Sequence, residues 1–243
     1  MYHLAVKNAE TTLAKLVEVA LRRYGMIEKG DRILVAVSGG KDSTALAWDL
    51  AQKRRWWPAK YEITALHIAT DFCSCCKKSA LELLMKSWDI PYESLYVPVI
   101  GRLKAGKTMN CYWCSMQRRT ELIRYAMEGG YNKIALGHHL DDIVETLMMN
   151  MLYKGQISGM LPVLKYAKYP VTIIRPLALC EERQVISFAE EKGFRAAACT
   201  CPYGQESKRR EVRGRIAELT GGSGDLKRNL FDSMSNVNEE YLG

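Results

Sequence analysis

Residues 33–50, ILVAVSGGKDSTALAWDL, run from an apolar segment through two glycines into a helix-like segment. A turn between a buried strand and a helix presents unpaired backbone N–H groups, and these bind anions. Gly39 and Gly40 let the backbone approach an anion closely, because they carry no Cβ. The turn matches neither G-x-x-x-x-G-K-[ST] nor G-x-G-x-x-G. It therefore predicts a phosphate site of a different kind.

Strand-like and helix-like segments alternate along most of the chain. Apolar runs such as DRILVAV, YEITALHIAT and KIALG are each followed by a segment of helical periodicity. This alternation predicts an α/β fold, a parallel sheet with helices on both faces. We expect a single domain over residues 1–243. Its predicted parts are an N-terminal helix (1–29), a nucleotide-binding core (30–180), a C-terminal helical segment (181–217) and a peripheral tail (218–243).

Composition narrows the class of protein. The formal net charge of +8 favours a polyanionic partner, with nucleic acid as the leading candidate. No apolar run approaches the roughly 18 residues of a membrane span, and the first 25 residues lack the apolar core of a signal peptide. We therefore expect a cytoplasmic protein without a membrane partner. Its eight cysteines then indicate metal binding or redox chemistry rather than disulfides.

The side chains of the glycine turn refine the phosphate prediction. Ser38 and Ser43 supply hydroxyl groups, and Lys41 supplies a positive charge. Asp42 would repel a bare phosphate, so it is expected to cap the helix or to meet a magnesium ion. A turn in this position lies at the carboxyl ends of the strands, where open parallel sheets bind ligands.

A second strand-to-helix turn lies in residues 135–152, ALGHHLDDIVETLMMNML. Asp141 and Asp142 stand in the first helical turn, where a carboxylate can cap the helix. For Asp141, capping remains an alternative to a role in a phosphate site.

Two cysteine clusters stand out further along the chain. Cys111-Tyr-Trp-Cys114 precedes a predicted helix, and its spacing suits one metal centre or a redox pair. A further cysteine partner is expected in residues 199–213. Three cysteines suit a [4Fe–4S] cluster better than zinc, because zinc needs a fourth ligand. The three cysteines of DFCSCC are expected to relay a persulfide or to be incidental loop thiols. They are Cys73, Cys75 and Cys76, whereas Cys180 is expected to be buried packing.

These motifs resemble a known family. SGGKDS resembles the PP-loop of the N-type ATP pyrophosphatases, and GHHLDD resembles a segment of the PP-loop tRNA-modifying enzymes. With CYWC and its following arginines, RPLAL and the late cysteine segment, the likeness extends to the TtcA family of tRNA cytidine 2-sulfurtransferases, over roughly residues 10–217. The resemblance implies the fold of the adenine nucleotide α-hydrolases. It also implies adenylation of a cytidine C2 oxygen, at position 32 of the anticodon loop, followed by sulfur insertion.

The resemblance also implies roles for individual residues. Asp142, Arg118 and Lys41 would be catalytic, with Mg²⁺ as the metal of ATP use. A [4Fe–4S] cluster would be held by Cys111, Cys114 and Cys201, with Cys199 as the alternative third ligand, leaving one iron open for sulfur. ATP would be bound by Ser38, Gly39, Gly40, Lys41, Asp42, Ser43, Ile68, Gly137 and His138.

Basic segments mark where RNA would bind. KRREVRGR places a set of basic side chains beside the late cysteines, and Arg119 lies five positions after Cys114 of the CYWC motif. In QKRRWWPAKY, Trp56 and Trp57 are expected to pack at a helix end or, alternatively, to stack on bases. The implied partners are tRNA, a cysteine desulfurase or other sulfur donor, and a second copy of the chain. The candidate RNA contacts are Arg119, Lys208, Arg209, Arg210 and Arg213.

Three other functions remain open at this point. The target base could be a uridine, or the PP-loop could activate a small molecule. The net charge of +8 argues against the small molecule. A non-enzymatic iron–sulfur or zinc module, such as a redox sensor, conflicts with the two intact turns, SGGKDS and GHHLDD.

Overall fold

A six-stranded sheet forms the centre of the protein, a computed structural model that describes residues 9–72, 78–194 and 208–241. The strands are β1 (Arg32–Ala36), β2 (Glu62–Thr70), β3 (Tyr92–Val97), β4 (Lys133–Ala135), β5 (Val163–Lys165) and β6 (Thr172–Ile174). Their order is β3-β2-β1-β4-β6-β5, and every neighbouring pair is parallel except β5 and β6. The predicted α/β fold with a parallel sheet is confirmed.

Helices cover both faces of the sheet, as predicted. One face packs against α4, and the other packs against most of the remaining helices. No helix in these ranges is long and apolar enough to cross a membrane. The helices are α1 (Ala9–Arg23), α2 (Lys41–Arg54), α3 (Lys78–Ser87), α4 (Cys111–Glu128), α5 (Leu140–Lys154), α6 (Glu182–Glu191), α7 (Lys208–Thr220) and α8 (Gly224–Asp232).

The central strand β1 explains the layered core. Ile33, Leu34 and Val35 have no exposed surface, because Ile33 and Val35 face one helical layer while Leu34 faces the other. A strand buried on both faces has to be apolar at every position, and the sequence shows such a run. Strand β1 pairs with β2 on one side and with β4 on the other. The chain order of the strands therefore reverses between β1 and β4, where open α/β sheets bind ligands.

Two local features differ from the sequence prediction. The short antiparallel edge strand β5 was not predicted, because only three residues form it and the sequence around it is rich in lysine, tyrosine and proline. The C-x-x-C motif was expected to precede a helix, but it forms the first turn of α4. Asn110 caps this helix by accepting a hydrogen bond from the Trp113 N–H at 2.9 Å. Asparagine is a preferred N-cap residue, so the helix begins one turn earlier than expected.

The C-terminal segment packs on the core at residues 224–232, where the sequence predicted a peripheral tail. Phe231 of α8 is only 5% exposed and belongs to the main apolar layer. The Lys227 ammonium contacts the Asp141 carboxylate at 2.6 Å, which ties α8 to the start of α5. An apolar anchor and an ion pair together hold this helix in place.

Candidate active site

The turn after β1 has the geometry of an anion site. Gly39 lies in the left-handed region, with φ +82°, which favours glycine. Ser38 and Ser43 tie the turn together, because the Ser38 N–H donates to the Ser43 hydroxyl at 3.1 Å and the two hydroxyls are 3.2 Å apart. Gly40 is the N-cap of α2, and no side chain caps this helix. The first backbone N–H groups of α2 are thus open to an anion.

The turn after β4 lies directly against the glycine turn. A Cβ added at Gly137 would lie 3.0 Å from the Ser43 backbone nitrogen and 3.1 Å from the Asp42 carbonyl carbon. Only glycine lets the two backbones come this close, so Gly137 joins the two predicted motifs in one site.

Asp142 has a structural role in the turn as well as a position in the site. It forms a reciprocal cap with His139, since its Oδ2 accepts from the His139 N–H at 3.2 Å and the His139 Nδ1 accepts from the Asp142 N–H at 3.4 Å. Its other oxygen, Oδ1, accepts from the Arg209 guanidinium at 3.2 Å.

Asp141 does not cap its own helix α5, the role that the sequence left open for it, and instead contacts α6 and α8. Its carboxylate accepts from the Glu182 N–H at 2.7 Å, at the start of α6, and pairs with Lys227 at 2.6 Å. Burial alone would raise the pKa of Asp141, but these hydrogen bonds lower it below its ordinary value. Asp141 is therefore a charged anchor between α5, α6 and α8.

A cavity of about 310 Å³ opens where the two turns meet α4. Its floor consists of apolar side chains from β1, β4, β6 and α4. From α4 it also receives Ser115, Arg118 and Arg119. Six residues predicted from the two motifs line it, namely Ser38, Asp42, Ser43, Gly137, His138 and Asp142. The cavity thus combines an open helix N-terminus with carboxylates and guanidinium groups.

The positive charges of the cavity are only partly neutralised. Arg118 and Arg119 make no hydrogen bond or ion pair with another residue in the described part of the chain, and both line the cavity. Arg175 is 2% exposed and donates from Nε to the His138 Nδ1 at 3.3 Å. Burial, together with the nearby positive charge of Arg119, lowers the pKa of Arg175 to about 10. Two unpaired guanidinium groups in the cavity wall, with a third buried behind His138, make the cavity suited to a polyanion.

His138 is neutral at physiological pH. Burial lowers its pKa to about 4, and the charge of Arg175 acts in the same direction. Because Nδ1 accepts the hydrogen bond from Arg175, the ring proton is assigned to Nε2. His138 can therefore donate a hydrogen bond but cannot serve as a strong acid.

Lys41 is held at the rim by two carboxylates and does not line the cavity. Its ammonium lies 3.1 Å from Glu182 and 3.2 Å from Asp42 Oδ1. Burial would lower the pKa of Lys41, but Asp42 and Glu182 raise it above its ordinary value. Asp42 Oδ1 is buried and accepts no hydrogen bond of good geometry, despite this close ammonium.

The candidate RNA contacts of α7 divide into two groups. Arg209 and Arg213 are ion-paired with carboxylates of the core, since Arg213 Nε lies 2.6 Å from Glu145 and Arg209 contacts Asp142. Lys208 and Arg210 are exposed, and the Lys208 ammonium lies over the Tyr153 ring at 4.6 Å. Arg209 and Arg213 thus attach α7 to α5, while Lys208 and Arg210 face solvent.

The two thiols of the C-x-x-C motif lie on the side of α4 that leads to the cavity. Cys111 is exposed and Cys114 is partly exposed. Positions 111, 115 and 118 follow one another at helical spacing, so Cys111 shares a face with Ser115 and Arg118. The remaining predicted cluster ligands, Cys199 and Cys201, and the DFCSCC cysteines lie outside the described residues.

Other candidates lie away from the cavity. Ile68 belongs to the apolar layer under α4 and does not line the cavity. Trp57 is 5% exposed, and α2 ends at the edge of the sheet opposite the cavity, so packing is the better account of this tryptophan. Cys180 is fully buried, as predicted. The sequence analysis assigned no role to Arg175 or Glu182, although Arg175 is the first residue of the RPLAL motif.

Comparisons with known proteins identify relatives that match nearly the whole chain. A family model described as a PP-loop domain matches residues 6–219. The chain is 37% identical to a tRNA-cytidine(32) 2-sulfurtransferase of Coxiella burnetii, over 98% of this chain and 94% of that protein. It is 34% identical to a protein of the same name from Geobacter sulfurreducens, over 92% of this chain and 88% of that protein.

Two solved structures have a similar fold. The U34-tRNA thiolase NcsA from Methanococcus maripaludis, solved with its [4Fe-4S] cluster, superposes with a TM-score of 0.80 at 24% identity, covering 97% of this chain and 80% of that one. The NMN synthetase of Francisella tularensis superposes with a TM-score of 0.55 at 15% identity, covering 95% of this chain and 94% of that one. At these identities the likeness is one of fold.

Proposed function

We propose that this chain, which belongs to the PP-loop domain family and within it to the tRNA-cytidine(32) 2-sulfurtransferases, thiolates tRNA. The reaction depends on ATP. The observation that carries the proposal is the cavity, where an uncapped helix N-terminus, two unpaired arginines and the face of the C-x-x-C helix converge. The C2 oxygen of a cytidine attacks the α-phosphorus of ATP and pyrophosphate leaves. A sulfur nucleophile then attacks C2, and AMP leaves with the original oxygen.

The glycine turn would hold the phosphates of ATP. The free N–H groups of α2 and the hydroxyls of Ser38 and Ser43 supply hydrogen bonds, and Gly39 and Gly40 allow close approach. Lys41 would exchange its contact with Glu182 for a phosphate oxygen, because both are anionic partners of one ammonium. Binding of ATP and release of Glu182 are then a single event.

The residues present fit a magnesium ion. Mg²⁺ in nucleotide sites takes one or two carboxylates together with phosphate oxygens. Asp42 and Asp142 both line the cavity, and Asp42 Oδ1 is a buried oxygen without a hydrogen bond of good geometry. These two carboxylates would hold the metal, and Arg118 and Arg119 would stabilise the charge that develops on the phosphates. His138, being neutral, would orient the substrate through its Nε2 proton.

The thiols of α4 fit an iron–sulfur cluster. Cys111 and Cys114 are one turn apart on one helix, and Cys201 or Cys199 would complete a set of three thiolates. When bound, such a cluster supplies an iron without a protein ligand, where sulfur can bind. The sulfur itself would come from a cysteine desulfurase or another donor. By family likeness we also propose a cytoplasmic homodimer.

The first test is mass spectrometry of nucleosides from bulk tRNA of a deletion strain. We expect selective loss of 2-thiocytidine, restored by the wild-type gene and by Cys180→Ala but not by Cys111→Ala. Cys180 is the matched control, because it is a buried cysteine far from the C-x-x-C helix in the chain. Loss of a thiouridine instead would move the target base. Unchanged thionucleosides would refute the tRNA assignment.

A further inference from the structure

A second groove adjoins the cavity along the outer side of α4. It has a volume of about 470 Å³ and lies between α4 and the turn that joins β5 to β6. Arg119 and Ile123 line both the cavity and this groove, so the two are contiguous. The turn lies where the parallel strands begin, because Lys165 pairs with Thr172, the first residue of β6. The groove therefore leads from the cavity toward the opposite edge of the sheet.

The walls of the groove are apolar and aromatic. Met116 and Met127 lie on one face of α4 and are 39% and 45% exposed. Facing them, Tyr166 and Tyr169 pack edge to face, with ring centroids 5.7 Å apart. Partly exposed tyrosine rings beside flexible methionines form a surface on which a planar base can stack.

The charge around the groove is suited to an RNA backbone. The segment LKYAKYP, residues 164–170, alternates lysines with these tyrosines. Lys165 and Lys168 are exposed and make no ion pair with a described residue, and Lys168 lies over the Tyr169 ring at 5.7 Å. Arg119 adds a third unpaired cation at the junction with the cavity. By contrast, Arg124 is neutralised by Glu121 and Glu128.

We propose that this groove binds an unpaired nucleotide of the tRNA substrate next to the target base, with Tyr166 and Tyr169 stacking on the base and Lys165 and Lys168 contacting the phosphates. The proposal rests on the function proposed above. A target base that enters the cavity leaves its neighbours unstacked, and these need a surface that replaces the lost stacking. From Arg119 to Glu128 the helix runs for roughly 14 Å beside the groove, which is long enough for a short single-stranded segment.

A second copy of the chain is the rival occupant. In a twofold dimer each patch faces the same patch of its partner. The three unpaired cations around the groove would then lie opposite the same three cations of the partner, and Glu128, a carboxylate that lines the groove, already pairs with Arg124. Such like-charge contacts are unfavourable at an interface. The charge pattern thus favours a polyanion over a second protein surface.

The test compares tRNA binding by tyrosine variants of the full-length protein, with its cluster reconstituted. The probe is a fluorescent anticodon stem-loop carrying cytidine 32, and affinity is measured by anisotropy. Tyr169→Ala and Tyr166→Ala should each weaken binding by about tenfold, since stacking on one aromatic ring contributes that order of affinity. Tyr169→Phe should bind like the wild type. The KM for ATP should not change, because neither tyrosine lines the ATP cavity.

Tyr96→Ala is the matched control. Tyr96 is 59% exposed on the edge strand β3, at the other end of the sheet from the groove. Lys165→Gln is a second variant, at an exposed lysine, and it should reduce the salt dependence of binding. If the wild type, Tyr96→Ala and the groove variants all bind the stem-loop with the same affinity, the groove proposal is wrong and the proposed function stands.

Two other outcomes are also decisive. If the wild type itself does not bind the stem-loop, the tRNA function falls and the groove proposal falls with it. If the tyrosine variants convert a dimer into a monomer by sedimentation while each protomer keeps its RNA affinity, the groove is a protein interface. That result would overturn the nucleotide assignment.

Discussion

Replacement of Gly137 by alanine is the sharpest test of how the two turns are joined. The added Cβ would lie 3.0 Å from the Ser43 nitrogen and 3.1 Å from the Ser43 Cα, both of them backbone atoms. Backbone atoms cannot rotate out of the way as a side chain can. Gly137 is not among the glycines with positive φ, so the alanine would not strain its own backbone. Any effect must therefore come from the contact itself.

The size of the effect follows from the distances. Ordinary Cβ contacts begin at 3.4 Å, so the two turns have to separate by a few tenths of an ångström. Overpacking of this kind costs roughly 1–3 kcal/mol of unfolding free energy. A misplacement of about 1 Å can lower a rate by about 100-fold, so this smaller shift should lower kcat/KM for ATP by roughly fivefold.

The assay is ATP-dependent formation of AMP and pyrophosphate in the presence of tRNA, together with urea unfolding. Gly214→Ala is the matched control, because a Cβ at Gly214 meets nothing within 4 Å. That variant should keep its activity and be as stable as the wild type or slightly more stable. The reasoning is refuted if Gly137→Ala has wild-type stability and wild-type kcat/KM.

Three further predictions concern stability. Because burial lowers the pKa of His138 from 6.5 to about 4, the unfolded chain takes up a proton before the native state does. The unfolding free energy should therefore fall between pH 6.5 and 4 by up to about 3 kcal/mol more in the wild type than in His138→Gln, as urea titrations at each pH would show. Lys53→Met leaves the buried Asp49, 2.7 Å from the ammonium in the wild type, without this partner. It should cost about 3–5 kcal/mol by urea unfolding, and most of the loss should return when Asp49→Leu is added. Lys227→Met removes the 2.6 Å contact with Asp141. It should speed amide hydrogen exchange in residues 224–232 but not in β1. Equal exchange of residues 224–232 in the variant and the wild type would contradict the docking of α8.

The sequence was sufficient for the parts of the fold that depend on local pattern. The apolar run at Ile33–Val35 predicted a buried strand, and the turn that follows it predicted where a ligand would bind. Gly137 was also identified, because the residues around it form a recognisable motif. In each case the information lies within one short segment of the chain.

The remaining features depend on contacts between distant segments. Lys227 and Asp141 are 86 positions apart, and nothing near Lys227 indicates its partner. The contact of Arg175 with His138 likewise joins two strand ends that meet only in the folded sheet. Helix α8 was expected to be peripheral because its glycine-rich start is typical of a linker, whereas a single buried Phe231 decides its place.

The contact of Arg209 with Asp142 sets up a thermodynamic linkage. Asp142 lines the cavity, and the guanidinium of Arg209 in α7 lies 3.2 Å from its Oδ1. A divalent cation arriving at the same oxygen would repel the guanidinium. Metal binding would thus weaken the docking of α7, and a docked α7 would weaken metal binding by the same factor. The affinity of this site for a cation and the docking of α7 on the core are therefore coupled, so that a change in either one changes the other.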